Sequence, residues 1–140
     1  MIVLDTNVLS EPLRSRPDGA VLDWLDGISH TVVLTAISVG ELLVGVSRLP
    51  AGHRRDGLMK AVDGTLAMYG ESVLPYDAAA ARVYAVLQES RRASGHPLSV
   101  EDGMIAAICR SRRLPLATRN VRDFQDLGID VINPWTDRPQ

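Results

Sequence analysis

Short runs of β-branched and aliphatic residues alternate with longer stretches of helical periodicity along the whole chain, and this alternation restricts the fold to an α/β class. Ile2-Val3-Leu4 is a short strand that ends at Asp5. From a cap at Asp18, Val21, Leu25 and Ile28 recur at helical spacing, with Gly27 near the end. Thr31 to Thr35 is β-branched and apolar, hence a second strand, and a helix from about Ser38 to Leu49 follows until Pro50. Leu58, Val62, Leu66 and Tyr69 keep a helical stripe between Ala51 and Gly70, weakened by Gly57 and Gly64. Ser72 to Tyr76 reads as a third strand, broken by Pro75. Asp77 caps a further helix, with Ala80, Val83, Tyr84 and Leu87 inward and Arg82, Gln88 and Arg91 outward. After a loop from Ala93 to Pro97, Ser99 opens a helix to roughly Arg112, with Ile105 and Ile108 on its buried side. Leu114 to Thr118 is a fourth strand, and Asp130 to Ile132 a fifth that Pro134 ends.

Strands joined by helices run parallel, and ligands of such sheets gather at the carboxyl edge, near a switch in strand order. The acids fall where that rule places a site. Asp5 follows the first strand directly, with Thr6 and Asn7 able to orient it. A carboxylate there is either a turn or cap residue, or a ligand. Ser38-Val39-Gly40-Glu41 and Ser99-Val100-Glu101-Asp102 each place an acid three residues after a serine at a helix start. The first has the form of a capping box, the second a looser version, and either acid alone reads more simply as a cap. Asn120 and Asp123 follow the fourth strand, bracketed by Arg119 and Arg122, and Asp123 could instead cap the next short turn.

Taken together, Asp5, Glu41, Asp102 and the Asn120/Asp123 pair fall on one edge. Carboxylates packed within ~5 Å of one another raise at least one pKa and destabilise the fold unless a cation neutralises them. Hard oxygen donors with no clustered His or Cys select Mg²⁺ or Mn²⁺ over zinc. Acids, a metal and nearby arginines describe phosphodiester hydrolysis better than a sugar or peptide reaction.

The remaining composition sets bounds. With 140 residues the chain is one domain's worth, and 46% apolar with 23% charged residues is a globular balance. Net charge is −2, so no overall basicity advertises nucleic acid. Of the 15 basic residues only Lys60 is lysine; arginine suits phosphate, but a genome-wide codon bias is the simpler explanation, and the preference decides nothing alone. No apolar run reaches the ~18–20 residues of a membrane span, and the start resembles no secretory leader, so a cytoplasmic location is expected. Cys109 has no partner for a disulfide and reads as a small buried hydrophobe. His30, His53 and His96 lack metal or dyad spacing, and Trp24 and Trp135 read as packing residues. Arg14, Arg16, Arg112 and Arg113, with Arg119 and Arg122, could form an RNA-facing rim or simply a solvated surface.

Four ordered motifs resemble a known family: Met1-Ile-Val-Leu-Asp-Thr-Asn-Val-Leu-Ser-Glu-Pro-Leu, Ala-Ile-Ser-Val-Gly-Glu-Leu, Glu-Asp-Gly-Met-Ile-Ala-Ala and Ala-Thr-Arg-Asn-Val-Arg-Asp-Phe. They look like a PIN-domain protein, more narrowly a VapC toxin of a bacterial toxin–antitoxin pair in the branch that includes FitB. The terminal Ile-Asn-Pro-Trp fits that branch, and the resemblance spans the chain as a single domain, 1–140. It implies a three-layer α/β/α sandwich around a mainly parallel sheet of four to five strands. It also implies a Mg²⁺- or Mn²⁺-dependent ribonuclease specific for single-stranded RNA, a homodimer, and a small antitoxin that blocks the acidic cleft. Asp5, Glu41 and Asp102 match the family's metal-holding acids, Glu41 through water or from behind the direct ligands, and Asp123 matches the second acid of the last motif. Thr118 matches the supporting threonine or serine. Where many relatives carry an aspartate two residues later, this chain has Asn120, which brings no charge. That departure points to one tightly held ion, with any second recruited by substrate phosphate. A catalytically weak PIN-fold binding module is the alternative. An aspartyl-phosphate phosphatase fits less well, because position 7 is asparagine and the only lysine lies in the middle of the chain.

Overall fold

The computed structural model describes residues 1–28, 31–69 and 73–137. Its order is β1 (Ile2–Leu4), α1 (Thr6–Ser10), a 3₁₀ turn (Glu11–Leu13), α2 (Gly19–Ile28), β2 (Val32–Thr35), α3 (Ala36–Ser47) and α4 (His53–Tyr69). Then follow β3 (Val73–Leu74), α5 (Ala78–Ala93), α6 (Val100–Arg112), β4 (Leu116–Ala117), a second 3₁₀ turn (Val121–Phe124) and β5 (Val131–Ile132). The strands form one sheet in the order β3-β2-β1-β4-β5, and every pairing is parallel. The chain builds outward from β1 through β2 to β3, then returns to β1's other side with β4. The strand order therefore reverses between β1 and β4.

Successive strand residues point to opposite faces, and the core divides accordingly. Val3, Val33 and Leu116 join Ala80, Leu87, Ile105, Ile108 and Phe124 on the face covered by α5 and α6. Leu4, Leu34 and Ala117 join Val8, Trp24, Leu42, Val46 and Val62 on the face covered by α1 to α4. The expected three-layer α/β/α sandwich is thus formed, with five strands and six helices among the described residues.

Several local expectations are corrected. The helix after β2 begins at Ala36, not Ser38, because Thr35 is extended (φ −102°, ψ 153°) and its side chain accepts the Ser38 amide. Thr35, not Ser38, is the cap, and the Ser38–Glu41 capping box does not form. Gln88 and Arg91 are not simply outward: Gln88 donates to the Leu98 carbonyl and Arg91 to three carbonyls described below. Helix α1 and the first 3₁₀ turn have no counterpart in the sequence expectation, since a single helical turn leaves no periodic stripe. The remaining caps follow the sequence: Asp18 accepts from Ala20, Asp77 from Ala80 and Ser99 from Asp102. His30 and Ser72 lie outside the described residues. Among the described residues no helix is long and apolar enough to cross a membrane.

Candidate active site

Asp5 ends the central strand at the point where strand order reverses, and only 5% of its surface is exposed. The Thr6 amide donates to Oδ1 at 2.8 Å and the Thr118 hydroxyl to Oδ2 at 2.7 Å. Thr118 follows β4 directly, so this contact joins the two strands that flank the switch. Asn7 braces the pair: its side-chain amide reaches Asp5 Oδ2 and Thr118 Oγ1, both at 3.4 Å, and its Oδ1 accepts the Arg119 amide at 3.2 Å. The Asn120 amide donates to Thr118 Oγ1 at 3.0 Å. Thr6, Asn7 and Thr118, the three residues expected to support the site, each donate a hydrogen bond to Asp5.

Released from capping, Glu41 lies on α3 and accepts the Thr6 hydroxyl on Oε1 at 2.8 Å. Oε2 makes no hydrogen bond among the described residues. Asp102 sits in the first turn of α6, its amide held by Ser99 at 3.1 Å. Asp123 lies inside the second 3₁₀ turn and does not cap it; its amide donates to the Asn120 carbonyl at 3.0 Å. Asn120 precedes that turn with its side chain making no cap bond.

The charges act on one another. Burial pushes the Asp5 carboxyl above its ordinary range, and the negative charges of Glu41 and Asp123 push the same way against the bonds from Thr118 and Thr6. Burial also raises Asp102, reinforced by Asp5, Asp123 and Glu101 and opposed by Ser99. Asp5 thus feels the charges of Glu41 and Asp123, and Asp102 those of Asp5 and Asp123. These acids do not close into a cage: among the described residues no three His, Cys, Asp or Glu side chains converge to hold an ion. This corrects the expectation of several carboxylates packed side by side. The donor set is nonetheless all oxygen and negatively charged, and none of the described ion pairs brings a cation to it. It suits a hard divalent ion that retains several of its waters and takes one or two carboxylates directly.

The arginines separate into different environments. Arg14 pairs with the buried Glu11 at 3.3 Å, and it lines an apolar groove of about 800 Å³ that also reaches Thr6 and Glu41. Arg119 lies over the Trp135 ring, 5.1 Å from its centroid. Arg122 borders a polar pocket beside Asp123. Arg16 is exposed. Arg112 pairs with Asp77 at 3.1 Å, and Arg113 ends α6 in the left-handed region, φ 57°. Cys109 is fully buried and its thiol is pushed up to about 12, chiefly by burial, so it is inert packing.

Sequence reasoning missed two contributors. Glu11 is a buried acid whose Oε1 accepts the Asp18 amide at 3.0 Å, a structural tie that no periodicity reveals. Arg91 is the other, and only its position near a helix end hinted at carbonyl binding.

Comparison with known proteins adds an independent line. The PIN domain family profile matches residues 2–129. A VapC ribonuclease of Sinorhizobium fredii is 42% identical over 137 residues, covering 96% of this chain and 98% of that one. The toxin FitB of Neisseria gonorrhoeae is 38% identical over 139 residues, covering 98% and 100%. The crystal structure of FitAcB from the same organism superposes with a TM-score of 0.92 at 37% identity, covering 98% of this chain and 100% of that one.

Proposed function

The chain belongs to the PIN-domain family, and from that premise we propose that it is a metal-dependent endoribonuclease, the toxin of a toxin–antitoxin pair, hydrolysing phosphodiester bonds of single-stranded or loop RNA. The observation that carries the reading is Asp5: a buried carboxylate at the strand-order switch whose pKa is raised by its burial and by neighbouring acids. Such a group is costly to the free protein and is relieved by a divalent cation.

Asp5 and Asp102 are the residues that would hold Mg²⁺ or Mn²⁺, with Glu41 acting through water and Asp123 and Asn120 at the margin. Bound there, the ion supplies a Lewis-acidic contact to a phosphate oxygen and lowers the pKa of a water molecule. The chain's own part is positional. Thr118 and the Thr6 amide fix both oxygens of Asp5, so its remaining lone pairs have a set direction. Thr6 does the same for Glu41 and leaves Oε2 open to a hydrogen bond from water. Asn7 ties the ends of β1 and β4 and so resists their separation under a bound strand. Asn120 contributes an amide oxygen without charge, which supports one tightly held ion.

The partner side of the reading is an antitoxin, RNA as substrate, a homodimeric assembly and action in the cytoplasm. Thr6 and Glu41 help line the apolar groove, so an antitoxin segment lying in it would cover Glu41. The catalytically weak binding module keeps one observation on its side, the absence of a closed acid cage among the described residues.

One experiment separates the two readings. Purified protein is incubated with single-stranded RNA in Mg²⁺, in Mn²⁺ and in EDTA, beside Asp5→Asn. Cleavage by the native protein that EDTA stops and Asp5→Asn lacks supports the nuclease. Equal cleavage by both proteins marks a contaminant and removes the metal assignment.

A further inference from the structure

A polar pocket of about 830 Å³ opens between the end of α5, the loop before α6 and the 3₁₀ turn that carries Asp123. Its walls include His96, Arg122, Asp123, Gln125 and Asp126. Asp123 lines the pocket, and its amide donates to the carbonyl of Asn120, whose own amide donates to the Thr118 hydroxyl that holds Asp5. The pocket therefore adjoins the acidic edge.

Its walls are fixed in advance. One guanidinium, that of Arg91, donates to the carbonyls of His96 at 3.4 Å, Asp123 at 3.0 Å and Gln125 at 2.7 Å. These bonds bind helix end, loop and turn into one unit across more than thirty positions of sequence. Helix α5 delivers the loop through Gly95 (φ 80°), where the His96 amide returns to the Arg91 carbonyl. Asp126 sits at φ 62°, a left-handed conformation that aspartate tolerates better than most side chains. Arg122 has no carboxylate partner among the described ion pairs.

We propose that this pocket seats one nucleotide of the single-stranded RNA next to the phosphate that is cut, and so sets the sequence preference of cleavage. Arg122 meets its phosphate, His96 offers a ring face for the base, and Gln125 with Asp126 presents donor and acceptor groups to the base edge. Unpaired RNA is read in this way, by stacking on His or Arg planes and by hydrogen bonds to exposed base edges. The volume falls within the range of small-ligand sites, about 300–1,000 Å³. The inference rests on the ribonuclease reading for what the pocket binds.

Two measurements test it separately from that reading. In EDTA, fluorescence anisotropy reports binding of a labelled six-nucleotide RNA to the native protein, His96→Ala, Gln125→Ala and Asp126→Asn, with melting curves checking that each variant folds. Weakening of about tenfold in at least one folded variant is expected, since a good base contact discriminates by that order. In Mg²⁺, sequencing of the cut ends from a randomised RNA should show nucleotide preference at one position beside the cut falling by a similar factor. Unaltered affinity in all three folded variants, or cut profiles that superpose on the native one, overturns the pocket. Asp5→Asn in the same cleavage assay judges the nuclease: if it cuts as the native protein does, that reading falls whatever the anisotropy shows.

Discussion

Thr118 donates its hydroxyl proton to Oδ2 of Asp5 at 2.7 Å from 113 positions further along the chain, and the same hydroxyl oxygen accepts the Asn120 amide at 3.0 Å. Thr118→Val keeps the shape and removes both bonds, together with the longer one from the Asn7 side-chain amide at 3.4 Å, leaving a buried carboxylate and a backbone N–H short of partners. A loss of about 1–3 kcal/mol in urea unfolding is expected, with Thr118→Ser close to the native value. The hydroxyl also holds the Asp5 pKa down, so the acidic limb of the cleavage–pH profile should move to higher pH in Thr118→Val and stay in place in Thr118→Ser.

The metal-free protein should gain stability as pH falls from neutrality toward the ordinary aspartate value of 3.8. Asp5 and Asp102 both have pKa values raised above 3.8 in the fold. A raised acid binds its proton more readily in the folded state, so its contribution is fully present at low pH and is lost as pH rises through the folded pKa. Asp77 works in the opposite sense and lower down: the Ala80 amide bond leads in lowering its pKa below 3.8, so its contribution vanishes only in stronger acid. Melting curves in EDTA across this window should rise toward mild acid and then turn over. Saturating Mg²⁺ should flatten the rise. A melting temperature that falls steadily from pH 7 contradicts the raised acids.

Gly103 follows Asp102 and lets α6 approach α5. A Cβ there would stand 2.8 Å from Cε2 of Tyr84 and 3.0 Å from Nε2 of Gln88. Tyr84 is in turn packed edge-on against Tyr76, with centroids 6.1 Å apart, and so has little freedom to retreat. Gly103→Ala should cost about 1–3 kcal/mol by overpacking and lower kcat by shifting Asp102. Gly64→Ala is the contrast, because nothing lies within 4 Å of its added Cβ and the helix gains about 0.5–1 kcal/mol. Thermal melts of the two variants should move in opposite directions.

The sheet and the edge that carries the candidate site were legible because strand ends are written in local chemistry. Asp5 after Ile2-Val3-Leu4 and Thr118 after Leu116-Ala117 mark the carboxyl edge without any knowledge of partners. Asp18, Asp77 and Ser99 announce their helices for the same reason: a cap is a contact with residues two or three positions away. Glu41 was placed correctly on a helix near the edge but through a cap that does not exist. Thr35-Ala36-Ile37-Ser38 and Ser38-Val39-Gly40-Glu41 both offer a hydroxyl at the right spacing, and only the extended backbone of Thr35 decides between them. Arg91 was illegible, since its three carbonyl partners are set by how α5 packs beside the Asp123 turn. The gap between acids that feel one another and acids that form a cage is likewise a matter of ångströms, which residue type and spacing do not encode.

Binding of Mn²⁺ to the free protein tests the central claim most directly. Titration calorimetry is run on the native chain, Asp5→Asn and Asp102→Asn, with circular dichroism confirming that each is folded. The acidic edge should take one tightly held ion in the native protein, and either substitution should weaken it by at least about tenfold, the loss of one charged oxygen ligand being worth more than 1.4 kcal/mol. Native affinity retained by a folded Asp5→Asn would contradict the account, because the ion would then be held elsewhere or not by these acids at all.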